Sequence, residues 1–314
     1  MTDSLNEAAR QRALDIYRVV DSLPEAAYND IVHLASVLCD TPIALVSLID
    51  RNRQWFKASR GFSEFETRRD EAFCNHAIAT PLQLMEVPDA LIDSRFADNP
   101  LVTGEQSIRF YAGMPLVTEA GVAIGTVCVL DRKPRTLDAT QRQALQALAR
   151  LTMSLLDASL REQELQRSVL LSETAQVEAP ALEKAAEGFT VAIFQVQDIA
   201  GVARLIGERV VERHMQDLEK RLHEALQEFP GSNINHASHS EEFIAVLQGD
   251  DTRAEMQSLQ NYASAFEHDT GLKILSSHAA ATSPSERLEI VFVRADEALT
   301  LLKDEASGVD KVAA

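Results

Sequence analysis

The feature that most constrains the fold is a hairpin pattern in the first half of the chain. Residues 108–131, "IRFYAGMPLVTEAGVAIGTVCVLD", place two apolar segments on either side of the turn "TEAG". Such segments predict neighbouring antiparallel strands. The upstream pair "PIALVSLID" and "RQWFKASRG" predicts a second hairpin. The first half should therefore contain an antiparallel sheet.

Helical periodicity flanks this sheet pattern. Apolar faces predict two upstream helices, formed by Leu14, Tyr17 and Val20 and by Ile31, Leu34, Ala35 and Leu38. A long helix should begin near Thr140, with Asp138 as its N-cap, and continue past Leu165. Leucines near heptad spacing, Leu145, Leu148 and Leu155, predict that helices around Leu145 to Leu165 pair in a homodimer. The alternative is that the helix closes its own domain and pairs over only part of its length, because Ser159 and Glu162 weaken the seam.

The second half shows a different order of elements. Its strand and helix patterns alternate as β-α-β-β-α-β-α over residues 189–314, which predicts a ferredoxin-like sheet with helices on it. Residues 171–188 contain few large apolar residues and include Pro180, so they are predicted to be a linker. The first domain is then residues 1–170, and the fold class of the whole chain is α+β.

Charge and composition narrow the classes of partner. The net charge is −18, and from Leu171 onward 12 Lys and Arg face 25 Asp and Glu, a net of −13. A field of this sign repels nucleic acid, so we expect no nucleic-acid partner. The apolar runs are too short to cross a bilayer, and no signal peptide is evident. Three scattered cysteines fit a reducing cytoplasm. We expect no cofactor and no bound metal ion.

The first half resembles the GAF family of sensor domains. The resemblance is carried by the hairpin segments together with "FCNHAI", "DSRFADNPLV" and "GTVCVLDRKPR". It implies a six-stranded antiparallel sheet with flanking helices and a small-molecule pocket on one sheet face. The pocket candidates are Trp55, Cys74, His76, Arg109 and Tyr111. We do not expect a covalent chromophore at Cys74, because an asparagine separates it from His76.

Arg109 has two alternative roles. Its cation either binds an anionic ligand in the pocket or pairs with a carboxylate, because a buried cation needs a partner. The candidate carboxylates are Asp89, Asp93 and Asp98.

The second half resembles GGDEF domains, the catalytic unit of diguanylate cyclases. "HSEEF", His239 to Phe243, occupies the signature position, and "ADEALTLLK" is similar to the closing helix of the family. The resemblance implies that Glu241 is a metal ligand, followed by Glu242 and Phe243, and that Lys303 contacts phosphate. Metal ions that neutralise phosphate charge are required for the condensation of two GTP molecules.

Several positions depart from the GGDEF pattern. His239 and Ser240 replace glycines that let the backbone approach phosphate. Gln195 replaces the second metal-binding aspartate, and a neutral amide is a weaker ligand. Ala203 replaces a guanine-reading asparagine, Glu212 replaces an aspartate, and Ser307 replaces an arginine.

These losses predict a signalling protein that is not an enzyme. A ligand would bind the GAF domain, and the degenerate GGDEF domain would present a surface to a signalling partner. Two alternatives remain: a divergent diguanylate cyclase that makes cyclic di-GMP from GTP, and a receptor that binds GTP without turnover.

Overall fold

The computed structural model describes residues 2–177, 188–236, 241–249, 251–283 and 285–307. Its contacts divide the chain into two compact units, residues 1–20 with 24–160 and residues 21–23 with 161–314. Among the described helices, none combines the length and apolar character that crossing a bilayer requires.

The first unit is built on a six-stranded antiparallel sheet with strand order β3-β2-β1-β6-β5-β4. Its strands are β1 (Ile43–Ile49), β2 (Arg53–Arg60), β3 (Glu66–Arg68), β4 (Met85–Val87), β5 (Phe110–Val117) and β6 (Ala123–Asp131). Both predicted hairpins are present, because β1 pairs with β2 and β5 pairs with β6. The antiparallel sheet with flanking helices is therefore confirmed.

Four helices accompany this sheet before the long one. They are α1 (Thr2–Tyr17), α2 (Ala26–Cys39), α3 (Phe73–Ala77) and α4 (Pro100–Thr103), and a short 3-10 helix covers Arg69–Glu71. Strands β1 and β6 are buried along their whole length, as expected for the centre of a sheet covered on both faces.

The long helix α5 runs from Ala139 to Val177. Asp138 caps it as predicted: its carboxylate accepts from the Gln141 N–H, and the Gln141 side chain accepts from the Asp138 N–H. The helix covers the first part of the predicted linker, and residues 178–187 lie outside the described residues. The predicted domain limits 1–170, 171–188 and 189–314 stay predictions.

The second unit contains a four-stranded antiparallel sheet with strand order β10-β7-β9-β8. Its elements are β7 (Phe189–Val196), α6 (Ile199–Ile206), α7 (Glu208–Leu226), β8 (Asn233–His236), β9 (Glu242–Gln248), α8 (Arg253–Thr270), β10 (Ile274–Ala280) and α9 (Leu288–Ser307). One sheet face packs in a core with residues of α6, α7 and α8, and the other packs in a core with residues of α9.

One predicted helix is divided in two. The β-α-β-β-α-β-α order predicts a single helix between the first two strands of this half, but α6 ends at Ile206 and α7 begins at Glu208. Gly207 separates them with φ +93°, a conformation that side chains with a Cβ rarely adopt. The single-helix prediction was therefore wrong at this glycine.

Candidate functional site

A cluster of buried polar side chains surrounds Cys74 beneath the sheet of the first unit. Its Sγ lies 3.0 Å from Gln54 Nε2, 3.0 Å from Thr126 Oγ1 and 3.3 Å from the Tyr111 hydroxyl. The Sγ atom of Cys128 is 3.7 Å away. Helix α3 supplies Cys74, and three different strands supply the surrounding groups. The arrangement directs several hydrogen-bond donors at one sulfur atom.

This environment separates the acidities of the two thiols. Burial opposes ionisation of Cys74, but hydrogen bonds from Cys128, Ser47, Thr126 and Tyr111 outweigh it and lower its pKa. Burial raises the pKa of Cys128, and the neighbouring Cys74 raises it further. Burial likewise raises the pKa of the Tyr111 hydroxyl, which keeps it protonated. The cluster can therefore hold a thiolate at Cys74 with Cys128 and Tyr111 as donors.

A glycine determines where the Tyr111 hydroxyl lies. Tyr111 and Gly113 are two residues apart on β5, so they point to the same face of the sheet. A Cβ atom on Gly113 would overlap the Tyr111 hydroxyl. The absence of a side chain at Gly113 thus lets the tyrosine ring extend along its own strand and reach Cys74.

Only two of the five predicted pocket residues, Cys74 and Tyr111, come together. Trp55 is buried on the opposite face of β2, because its neighbours Gln54 and Phe56 face the Cys74 side. His76 is exposed, and its ring lies edge-on to Phe96. These two positions correct the expectation that they would line one pocket with Cys74.

Arg109 makes its hydrogen bonds to backbone carbonyls. Its guanidinium donates to the backbone carbonyls of Val102 at 2.8 Å and Ile108 at 3.0 Å. Of the candidate carboxylates, Asp93 instead pairs with Arg95 at 2.7 Å. The structure therefore places two carbonyl oxygens, and none of the three candidate carboxylates, in hydrogen-bond contact with Arg109.

Four residues of this cluster were not among the predicted site residues: Ser47, Gln54, Thr126 and Cys128. Thr126 and Cys128 are fully buried on β6 and share one face, and Ser47 Oγ lies 3.3 Å from Thr126 Oγ1. The available signal was the alternation of threonine and cysteine in "GTVCV", which places both on the side of Tyr111.

The first unit has a surface cavity of about 570 Å³, and two of its lining residues are close in sequence to members of this cluster. It is lined by Asn52, Arg68, Arg69, Asp70 and Asn75. Asn75 directly follows Cys74 on α3, and Asn52 precedes Gln54 by two residues. Its polar lining is suited to a small polar molecule.

Glu7 forms an ion pair with Arg69, one of the residues that line this cavity. Its carboxylate lies 2.6 Å from Arg69 Nη1 and 2.7 Å from Arg10 Nη2. Burial opposes ionisation of Glu7, but the two arginines outweigh it and lower its pKa to about 2. Because the folded-state pKa is depressed, the stabilisation is complete above about pH 4.5 and is lost as the pH falls toward 2.

We therefore expect Glu7→Gln to lower the free energy of unfolding by about 1 kcal/mol at pH 7, since the pair is partly exposed. Urea unfolding at pH 7 and pH 3 measures it, and the difference from the unmodified protein should shrink at pH 3. The exposed Glu105, changed to Gln, should alter stability by less than about 0.5 kcal/mol. An equal loss at both pH values would contradict the assignment.

In the second unit, Gln195 and Glu242 lie directly opposite each other on β7 and β9. Opposed residues in a sheet point to the same face, and both side chains are buried. Arg167, on α5, places Nη2 3.5 Å from Glu242 Oε2, and its guanidinium lies 4.8 Å from the Phe292 ring centroid. An arginine from the same chain thus accompanies the buried carboxylate.

The other predicted GGDEF positions are spread over this unit. Glu241 lies just before β9, and Phe243 is buried with His236 stacked on it at 4.3 Å. Ala203 is buried in α6, Glu212 is exposed on α7, and Lys303 is half-buried on α9. Ser307 is the last residue of α9. His239 and Ser240 lie outside the described residues.

Within the described ranges, no group of three or more His, Cys, Asp or Glu side chains is placed to hold a metal ion. The region around Gln195 and Glu242 contributes one amide and one carboxylate, the latter already beside a guanidinium.

Comparison with known proteins connects the first unit to a family. Residues 23–156 match the family model described as the GAF domain. The cyclic di-GMP phosphodiesterase PA2567 of Pseudomonas aeruginosa is 42% identical over 150 residues, which are 48% of this chain and 25% of that protein. The chain therefore spans about a quarter of the length of that curated relative.

Two solved structures show weaker similarity. A putative GAF sensor protein from Burkholderia vietnamiensis is 18% identical with a TM-score of 0.37, covering 50% of this chain and 98% of that one. The GGDEF domain of DgcB from Caulobacter crescentus, in complex with c-di-GMP, is 15% identical with a TM-score of 0.36, covering 44% and 82%. The family match and the six-stranded antiparallel sheet together identify residues 23–156 as a GAF domain.

Proposed function

We propose that the protein is a bacterial cytoplasmic signalling protein in which the GAF domain senses a small molecule. A degenerate, non-catalytic GGDEF-type domain, residues 189–314, passes the signal to a partner protein. The relative named as a cyclic di-GMP phosphodiesterase supports a role in cyclic di-GMP signalling. The coupling requires a ligand that binds two conformations of the protein with unequal affinity.

The topology of the second unit supports a ferredoxin-like, GGDEF-type domain. Strand order β10-β7-β9-β8, with helices between β7 and β8 and between β9 and β10, is a βαββαβ arrangement. The last two residues of "HSEEF", Glu242 and Phe243, begin β9, and Glu241 lies just before it. A signature at the start of this strand is what the resemblance implies.

The observation that carries the non-catalytic proposal is the pairing of Gln195 with Glu242 next to Arg167. Divalent cations that bind GTP phosphates prefer several anionic oxygen ligands. Here Gln195 supplies a neutral amide, and Glu242, which lies opposite it, is 3.5 Å from the guanidinium of Arg167. Glu241, the predicted metal ligand, is the residue directly before Glu242. A metal ion next to Glu242 would be repelled by the guanidinium of Arg167. Gln195 would offer it an amide oxygen and no negative charge.

We expect no cyclic di-GMP after incubation of the full chain with GTP and either Mg²⁺ or Mn²⁺. Nucleotide chromatography measures the product, and an active diguanylate cyclase under the same conditions is the positive control. Formation of cyclic di-GMP would overturn the proposal in favour of a divergent cyclase using Glu241, Glu242 and Lys303. Calorimetric binding of GTP without product would instead support the nucleotide-receptor alternative.

We also propose a homodimer along α5, in which the exposed part of the predicted helix makes the contacts. Leu145 and Leu148 are buried within their own unit, whereas Leu151, Leu165 and Val169 are exposed large apolar residues. Exposed apolar positions on a long helix are suited to pairing with a second copy.

Light scattering at tens of micromolar should give twice the monomer mass of 34.6 kDa. The variant Leu165→Glu should have a lower average mass, because it places a charge on the pairing face. A monomer mass for the unmodified protein would refute pairing.

A further inference from the structure

Cys74 and Cys128 form a close pair of thiols that takes no part in the proposed signalling function. Their Sγ atoms are 3.7 Å apart, and both side chains are almost completely buried. A free cysteine in a core is ordinarily surrounded by apolar atoms and is inert. Cys74 instead receives hydrogen bonds from Gln54, Thr126 and Tyr111, at 3.0 to 3.3 Å.

The surroundings give the two sulfurs different roles. Donors from β2, β5 and β6 converge on Cys74, and these stabilise a negative charge on its sulfur. Cys128 lies within reach of that sulfur on β6 and keeps its proton, because burial raises its pKa. Cys74 is therefore the nucleophile of the pair, and Cys128 is placed to react with the oxidised sulfur of Cys74.

We propose that Cys74 and Cys128 are a redox modification site, in which a small hydroperoxide oxidises Cys74 and Cys128 then closes a disulfide with it. The proposal goes beyond ligand sensing by the GAF domain and does not depend on the state of the second domain.

The chemistry balances with the hydroperoxide as the two-electron oxidant. The Cys74 thiolate attacks one peroxide oxygen, the O–O bond breaks, and Cys74 becomes a sulfenic acid. The departing hydroxide takes the proton of Cys128 and leaves as water. The Cys128 thiolate then attacks the Cys74 sulfur and displaces hydroxide, which takes a proton from solvent. Two thiol groups are oxidised to one disulfide, and the peroxide is reduced.

Closing the bond requires a small local movement. A disulfide needs an S–S distance of about 2.05 Å, so the sulfurs must approach each other by somewhat under 2 Å. Cys74 lies on α3, a helix of one turn that follows a 3-10 helix, and Cys128 lies on the central strand β6. We therefore expect α3 to move while β6 stays in place.

The burial of Cys74 restricts the class of oxidant. Its side chain is 1% exposed, but its neighbour Asn75 lines the surface cavity of about 570 Å³. Hydrogen peroxide is close to water in size and can enter through small fluctuations next to this cavity. Oxidised glutathione is much larger and should fail to react.

Peptide mass mapping of the full chain after peroxide treatment tests the site. We expect a Cys74–Cys128 linked peptide, lighter than its two thiol components by one hydrogen molecule and absent after reduction. Cys39 is the matched internal control, because it is also fully buried but burial raises its pKa to about 11. Cys74 should be oxidised at least about tenfold faster than Cys39, following the difference in thiolate population.

Two variants separate the steps. In Cys128→Ser, the sulfenic acid on Cys74 should accumulate and be trapped by dimedone, whereas Cys74→Ser should show neither adduct nor linked peptide. If either variant fails to fold, the peptide map of the unmodified protein still decides the question. Equal oxidation of Cys39 and Cys74, or a reduced Cys74 under conditions that oxidise a free cysteine peptide, overturns the proposal.

Discussion

Arg167→Ala should lower the free energy of unfolding of the second unit by about 3 kcal/mol. Its partner Glu242 has a side chain only 3% exposed, whereas that of Arg167 is 22% exposed. Removing the arginine takes a positive charge away from this almost completely buried carboxylate. It also removes the guanidinium from the face of Phe292. This value is the lower end of the usual cost of removing one partner of a buried ion pair, because Arg167 itself is partly exposed to water.

Urea unfolding followed by circular dichroism measures this loss, and two further variants identify its cause. Arg161→Ala removes an exposed arginine from the same helix and should change stability by less than about 0.5 kcal/mol. In the double variant Arg167→Ala with Glu242→Gln, the buried charge disappears and most of the stability should return. A double variant no more stable than Arg167→Ala would show that lost packing, not charge, is responsible.

Glu25→Ala should have a comparable effect on the GAF domain, at about 2–3 kcal/mol. Lys57 has a side chain 1% exposed, and its Nζ lies 2.6 Å from Glu25 Oε1. The ammonium also lies 5.1 Å from the Tyr28 ring centroid, which compensates for part of the loss. Without Glu25, the buried ammonium of Lys57 loses the carboxylate that lies 2.6 Å from it.

The comparison with Lys57→Met checks the physical reason. This change removes the buried charge and leaves Glu25, whose side chain is 49% exposed and can be hydrated. Chemical unfolding should therefore find Lys57→Met clearly more stable than Glu25→Ala, although Lys57 is the more buried residue. The reverse order of stability would mean that burial of the lysine carries no electrostatic cost.

The sheet of the GAF domain could be predicted from local patterns because its central strands are long apolar runs. "PIALVSLID" and "GVAIGTVCVLD" correspond to β1 and β6, whose residues are all buried. The start of α5 could also be anticipated, since the side chains of Asp138 and Gln141 accept from each other's backbone N–H groups there.

The candidate sites were harder to predict, because they depend on contacts between distant parts of the chain. Arg167 and Glu242 are 75 positions apart, and no local pattern connects them. The error at Trp55 has the same origin: neighbouring residues of a strand face opposite ways, and only tertiary contacts reveal which face meets Cys74. The break at Gly207 depends on a backbone angle that a helical apolar pattern does not show.

The packing of Tyr111 over Gly113 has a consequence for how this sequence can diverge. Alanine at position 113 would force the Tyr111 hydroxyl to shift, because its Cβ would overlap that oxygen. A smaller residue at position 111 removes that restriction. We therefore expect the two positions to co-vary among descendants of this domain, with loss of the tyrosine preceding any larger residue at 113. A domain that has lost the glycine should also have lost the hydroxyl that reaches Cys74.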